Sequence, residues 1–463
     1  MSVSKLNYHP TKKMRPKPQQ PKTPKKVNWL LMGFGLSAIA SVSTVLGALM
    51  ALSLTQTPFS QVRLSAKEEA VFNQEDAVTF SSLNIPNLSR PVNILVLGVK
   101  VLTSDIADHP KDNLGYHALV NSFDGLSDSI LLLRFDPQKN DVVVLSIPRD
   151  TKTFVPDVGI TKINEANAHG GPALAAESVS NMLDGVEIDR YIRINVQGVE
   201  KLIDALGGVD FYVPKDMKYS DDSQRLYINL KEGQQHLDGD KALQLLRFRY
   251  DALGDVGRVQ RQQAVLRALV EQALNPRTIL RMPEILGVIR SHLDTNLSTN
   301  EIIALSAFAG QKSRSNFKMV MLPGEFNQPE EGELSYWLPH PRSINKIAVE
   351  HFNATPDYYE VTEQEFNPSQ VRIAIQTNPD DTEKAQSLTT ALAEAGYRRV
   401  FVSSIPQNQP LAKTRIIAQN GDASTAARIR ADLGIGEVLV EGTGVISTDV
   451  TIQVGADWQY SPE

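Results

Sequence analysis

PVNILVLGV, residues 91–99, is an apolar run interrupted only by Asn93 and ending at Gly98 and Val99. Apolar residues at odd and even positions alike bury both faces of a strand, as inside an α/β sheet. Two further runs frame it. SILLLRF, residues 129–135, reads as a second strand introduced by Ser127 and Asp128. VVVLSI, residues 142–147, reads as a third, with the turn at Asp136-Pro137. The third strand runs out into Pro148-Arg149-Asp150. An antiparallel hairpin of the second and third strands brings Asp128, Arg149 and Asp150 to one end of the sheet.

Downstream the pattern alternates. Residues 100–127 are polar, with Gly115 and Gly125, and read as a long loop of the kind that often carries function. Residues 164–183 read as a helix interrupted at Gly170-Gly171-Pro172, and RYIRINV (190–196) as a strand. Residues 198–206 read as an amphipathic helix closed by Gly207-Gly208, and residues 209–213 as a strand. Asp238-Gly239 opens a helix over 240–246. That helix delivers Arg247 into LLRFRYDALGDVGRVQR, residues 245–261.

Four arginines fall in this stretch. Arg247 and Arg249, two apart, share a face only if the segment is extended. Arg258 and Arg261 share a face of a helix over 258–274, and Gln262, Val265 and Leu269 continue that stripe. Asp255 and Gly257 read as its start, which would aim backbone N–H groups the same way as the arginines. The product is an anion pocket with an apolar stripe leading away from it, the polarity of a phosphate on a lipid tail. The competing view is a solvated arginine cluster paired with nearby carboxylates. Asp255 either caps its helix or binds a metal. Val265 and Leu269 either pack in the core or touch lipid. Lys162 either reaches a substrate or is a surface lysine, and His117, His169 and His236 read as solvated loop residues.

A strand over 318–322 follows, and the domain closes near Asn353. Residues 354–366 read as a polar linker. A second, smaller αβ unit occupies residues 367–461, with strands at 371–377, 400–403, 415–418 and 438–440 and helices at 382–395 and 423–433; it contains no histidine.

At the other end, residues 1–28 hold eight Lys and Arg, no acid and five prolines, and read as a disordered basic tail. Residues 29–54 carry no charge and are long enough to cross a bilayer core of about 30 Å. The basic flank keeps the N-terminus cytoplasmic, so everything beyond Leu54 is expected outside it, in a single-pass arrangement at the plasma membrane. Residues 55–90 read as a stalk leading to a domain over 91–353. The chain of 463 residues has 47 basic and 53 acidic side chains. Without the tail the balance is 39 to 53, acidic enough to argue against nucleic-acid binding. Cysteine is absent, so thiolate metal sites and disulfides are excluded.

The pieces NILVLG, LSDSILLLRFDP, VLSIPRDT, KINEANAHGG, LGGVDFYV, LDGDKALQLLRFR and GDVGRVQRQQ occur in one order over residues 93–265. In that order they resemble the LytR-CpsA-Psr family of cell-envelope proteins, and residues 367–461 resemble that family's frequent C-terminal domain. The resemblance implies an α/β fold: a central mixed β-sheet with helices on both faces, the small C-terminal αβ domain and one N-terminal transmembrane helix. It implies an enzyme that transfers a glycan phosphate from a polyprenyl pyrophosphate to a peptidoglycan sugar. Arginines and a magnesium ion hold the pyrophosphate, and an apolar tunnel holds the lipid. Carried over by motif, Asp128 is the metal-binding aspartate, Arg149 is the arginine of SIPRD, and Arg247 and Arg249 form the RFR pair. Arg258, Arg261 and Gln262 are the cations and amide of the last piece. The chain departs from the family at Lys100, where many members have aspartate, and at Leu126, where many have arginine. Asp150 and Asp255 become candidates to support the metal.

The residue types suit this chemistry. Arginines neutralise phosphate oxygens in pairs, and hard carboxylates hold magnesium. An aspartate is also a fitting base for a sugar hydroxyl. Two other classes stay open: a polyprenyl pyrophosphate phosphatase that uses water as acceptor, and a non-catalytic envelope scaffold.

Overall fold

The computed structural model describes residues 59–60, 62–73, 75–81, 86–101, 122–222, 226–248, 254–273, 278, 281–312, 316–327, 334–355, 366–378, 381–403, 411–419, 421–445 and 448–459, with backbone only at 254–260 and 282. The chain divides after Thr55, and every described residue belongs to the second unit, Gln56–Glu463. Among the described residues no helix is long and apolar enough to cross a membrane. The span expected over 29–54 lies outside them.

The first domain is built on a six-stranded sheet. Its strands are β1 (Val92–Val99), β2 (Ser127–Asp136), β3 (Asp141–Ile147), β4 (Arg190–Asn195), β5 (Leu293–Thr295) and β6 (Phe317–Met321), in the order β5-β4-β1-β2-β3-β6. The expected hairpin forms: β1, β2 and β3 pair antiparallel in sequence order. β4 joins β1 and β6 joins β3 in parallel, while β5 is antiparallel to β4, so the sheet is mixed. The alternation of β1 explains its composition. Leu95, Leu97 and Val99 enter one core with helix α1 (Glu165–Met182). Val92 and Ile94 enter another, with Leu286, Ile302 and Leu305, on the other face. Helices thus cover both faces, and each β1 side chain is paid for by burial on one side or the other. α1 loses helical backbone angles at Gly170 and Gly171, as the Gly-Gly-Pro sequence implies.

Four more helices matter here: α2 (Val196–Leu206), α3 (Gly239–Arg247), α4 (Gly254–Ala273) and α5 (Pro341–Phe352). α2 begins at Val196 because Asn195 caps it, its side chain accepting from Gly198 N. The hairpin of Met217–Asp221 and Leu226–Leu230, unforeseen in the sequence, packs on α3. The expected stalk is corrected in its described part. Residues 59–90 lie on the domain, with Phe72 and Ala77 buried and Arg90 paired with Asp189 at 2.6 Å.

The second domain has strands β7 (Arg372–Gln376), β8 (Arg399–Val402), β9 (Arg415–Ala418), β10 (Glu437–Val440) and β11 (Val450–Gln453), in the order β8-β7-β11-β9-β10. β11, which the sequence reading omitted, is the central strand. Helices α6 (Thr382–Glu394) and α7 (Ala423–Leu433) complete it. The two domains meet where Met319 of β6 bridges to Glu441, and where α5 sets Lys346 3.2 Å from Asp422 and buries His351 against Gly421.

Two stability predictions follow from buried charge. Arg193 and Asp294 form a pair at 2.6 Å, 1% and 0% exposed, that ties β4 to β5. Asp294→Ala strands a buried guanidinium and should lower unfolding free energy by about 3–5 kcal/mol in urea titration. Burial first, then Lys318 nearby, push the His351 imidazole down to about 4 from its usual 6.5. The unfolded chain therefore binds more protons than the folded one between those values. Stability is full above the unfolded value and falls as pH drops through the window, by on the order of 3 kcal/mol. The urea midpoint should track this fall, and His351→Gln should flatten it.

Candidate functional site

The site grows from an irregularity in the sheet. Gly98 pairs with Ser129, but the next residue, Val99, pairs with Ser127, so the register passes over Asp128. A bulge of this kind swings one side chain out of the strand's alternation. Gly98 permits it, since a Cβ there would lie 3.0 Å from Ser129 Cβ. The Asp128 carboxylate thereby meets Arg149, from the end of β3, at 2.5 Å. The two side chains are 31% and 26% exposed, so the pair is open to a ligand. Arg149 also lies 3.4 Å from Asp150, whose other oxygen accepts from Lys162 at 2.8 Å.

A cavity of about 360 Å³ opens over this pair. Its polar lining residues are Asp128, Ser129, Arg149, Lys100, Arg247, Gln262 and Asn195. Its apolar wall is made by Val196 and Val199 of α2, Leu243 and Leu246 of α3, and Tyr219 and Leu226 of the hairpin. α2 and α3 can wall one cavity because they touch backbone to backbone at Gly239, where a Cβ would lie 2.3 Å from Glu200 O. Arg247 ends α3, where its charge also suits the helix C-terminus. The cavity therefore offers cations, one carboxylate and aliphatic surface to one ligand. That suits an amphiphile with an anionic head.

Of the residues singled out in the sequence, Asp128, Arg149, Arg247 and Gln262 line the one cavity. Asp150 and Lys162 stand on the far side of Arg149, in a second depression shared with Asn164, Glu165 and His169. Arg261 is not among the lining residues. It is 8% exposed, and its guanidinium donates to the Phe248 carbonyl and lies 5.8 Å from that ring's centroid, tying α4 to the C-terminal end of α3. Val265 is 1% exposed and packs in the core with Leu245 and Phe248, and Leu269 packs beside it, so neither lines the cavity. Arg249 lies outside the described residues, as do the side chains of Asp255 and Arg258. Two local expectations change. Arg247 is the last residue of a helix, not part of an extended pair, and α4 starts at Gly254, so Asp255 lies inside it. The helix start that lines the cavity is that of α2, at Asn195 and Val196.

The sequence reading passed over the apolar wall. The signal was present in α3. Ala242 and Leu245 fill the core, Leu246 packs partly buried against it, and Leu243 lies outside it; Leu243 and Leu246 both line the cavity. Among the described residues no three His, Asp or Glu side chains gather to hold a metal. Asp128 is the single carboxylate among the cavity's lining residues. That donor set fits a magnesium ion bound by one carboxylate together with the oxygens of a phosphate ligand, a usual mode for this ion. It does not fit an ion held by protein alone.

Comparison with known proteins agrees with the motif order. A model of the LytR-CpsA-Psr family matches residues 57–352, and one described as LytR cell envelope-related transcriptional attenuator matches residues 370–458. Regulatory protein MsrR of Staphylococcus aureus is 33% identical over 199 residues, 42% of this chain and 59% of MsrR, so the match spans less than two thirds of that relative. The polyisoprenyl-teichoic acid–peptidoglycan teichoic acid transferase TagU of Bacillus cereus is 31% identical over 253 residues, 54% of this chain and 75% of TagU. The crystal structure of TagV from B. subtilis overlays 58% of this chain and 99% of its own, at 28% identity and a TM-score of 0.47. With more than half its length matched by the family model, the chain belongs to the LytR-CpsA-Psr family.

Proposed function

We propose that the protein is a membrane-anchored phosphotransferase. It moves a glycan phosphate from a polyprenyl pyrophosphate carrier to a sugar hydroxyl of peptidoglycan. One observation supports this: a single cavity lined both by the cations Lys100, Arg149 and Arg247 and by aliphatic side chains of α2 and α3. The transferase TagU among its relatives supports the same reaction class. In this reading residues 29–54 anchor the chain in the plasma membrane, with the N-terminus cytoplasmic and the cavity outside.

The prenyl chain lies along Val199, Leu243 and Leu246, where apolar burial supplies affinity. Arg149, Arg247 and Lys100 neutralise the pyrophosphate, which a carboxylate-only site would repel. Gln262 orients a phosphate oxygen. Arg249 and Arg258 are assigned to the same phosphate-binding role by motif alone. The acceptor oxygen attacks the glycan-linked phosphorus, the bond to the lipid phosphate breaks, and lipid monophosphate leaves. The hydroxyl proton passes to an aspartate acting as general base. Asp128 would hold magnesium together with the substrate's phosphates, supplying further charge neutralisation at the leaving phosphate.

The test incubates the full chain in detergent with magnesium and a short glycosylated polyprenyl pyrophosphate, with and without peptidoglycan fragments. Lipid monophosphate should appear only with acceptor and should fall about a hundredfold or more in Arg149→Ala. Release without acceptor would make the protein a phosphatase, and no release with no lipid binding would leave a scaffold. Leu243→Trp, which fills the apolar half, should weaken geranylgeranyl pyrophosphate binding about tenfold in calorimetry and leave inorganic pyrophosphate binding unchanged.

A further inference from the structure

Helix α4 has two buried faces. Gln262 lines the cavity, and Val265 and Leu269 pack beneath it on the same stripe. Gln263 and Arg267, one turn apart, point away from that stripe and are 2% and 7% exposed. What buries them is the second domain. Arg267 pairs with Glu441 at 2.5 Å, the two side chains 9% and 3% exposed. Gly442 presses on Gln263 so closely that a Cβ there would lie 2.4 Å from its Oε1 and 2.9 Å from its Nε2. Glu441 is itself fixed to the first domain by its bridge to Met319 of β6. One strand end of the second domain therefore grips both the central sheet and the helix that supplies Gln262.

We infer that Glu441 is a positioning residue of the first domain's site, acting through Arg267 to set where α4 lies against the cavity. This deepens the function proposed above and rests on it. Three physical points support it. A buried ion pair is geometrically exacting, since either charge alone in that environment is strongly disfavoured. A helix clamped on two faces moves as a rigid body, so a shift at Arg267 is felt at Gln262 and at Arg261, which ties α4 to the end of α3. The contact also gives the second domain a role that needs no chemistry of its own: without it, α4 has a charged and an amide side chain exposed where packing should be.

Calorimetry on the full chain in detergent, with geranylgeranyl pyrophosphate and magnesium, tests this with two variants made from the second domain's side. Glu441→Gln removes the charge, and Gly442→Ala pushes on Gln263 without removing any. Both should raise Kd about tenfold while the fitted stoichiometry stays near that of the unaltered chain. A purely structural defect would instead lower the stoichiometry, because fewer molecules fold, and leave Kd alone. Glu441→Asp should recover most of the affinity. Arg372→Ala, which opens an exposed pair with Asp449 elsewhere in the same domain, should change nothing. If Glu441→Gln does not fold, Gly442→Ala decides by the same criterion. Unchanged Kd in the variants, with binding by the unaltered chain, overturns this inference alone. No binding by the unaltered chain overturns the proposed function and this inference with it.

Discussion

The contact between Arg149 and Asp128 at the open end of the β2–β3 hairpin is the constraint from which the rest of the site follows. It exists because the sheet breaks its own rule. A strand in perfect register would alternate Asp128 with its neighbours and leave it wherever the period placed it. The bulge opposite Gly98 and Val99 detaches it from the ladder and lets it meet a cation from the next strand. The two side chains keep 31% and 26% of their surface exposed, so a ligand can reach both.

Around that pair the molecule separates two kinds of surface that elsewhere in the domain are kept apart by burial. The sheet's cores are closed on both faces. α2 and α3 set Val199 and Leu246 at the margin of a core, partly buried against it, and the same side chains line the cavity together with Leu243. Such a cavity has an obvious cost if empty, since its aliphatic wall is left unpacked. An amphiphile that fills it recovers that loss at the same time as its head group meets Arg149 and Arg247.

The second domain is coupled to the first by polar contacts that are unusual for a loosely tethered module. Lys346 with Asp422, buried His351 beside Gly421, and Arg267 with Glu441 all cross between them. Each would be costly to leave unmatched, and together they favour one docked arrangement over many.

Much of this was legible in the chain. The strands of the first hairpin, the helices over 196–206 and 239–247, and the β-α pattern of the second domain are local facts, because apolar period and capping residues act within a few neighbours. Charge type was legible too: Asp128, Arg149, Arg247 and Gln262 stand out by sequence and line one cavity. What tertiary structure alone decided is where nonlocal packing outweighs local pattern. Strand order placed β5 and β6 at the edges and β11 at the centre of its sheet. The stripe on α4 leaves core packing and lipid contact both open in the sequence; in the fold Val265 goes to the core and Arg261 to the Phe248 carbonyl, because their surroundings come from α3 and the strand over 209–213. The apolar period of a helix shows that a face is buried; only the fold shows whether protein or ligand buries it.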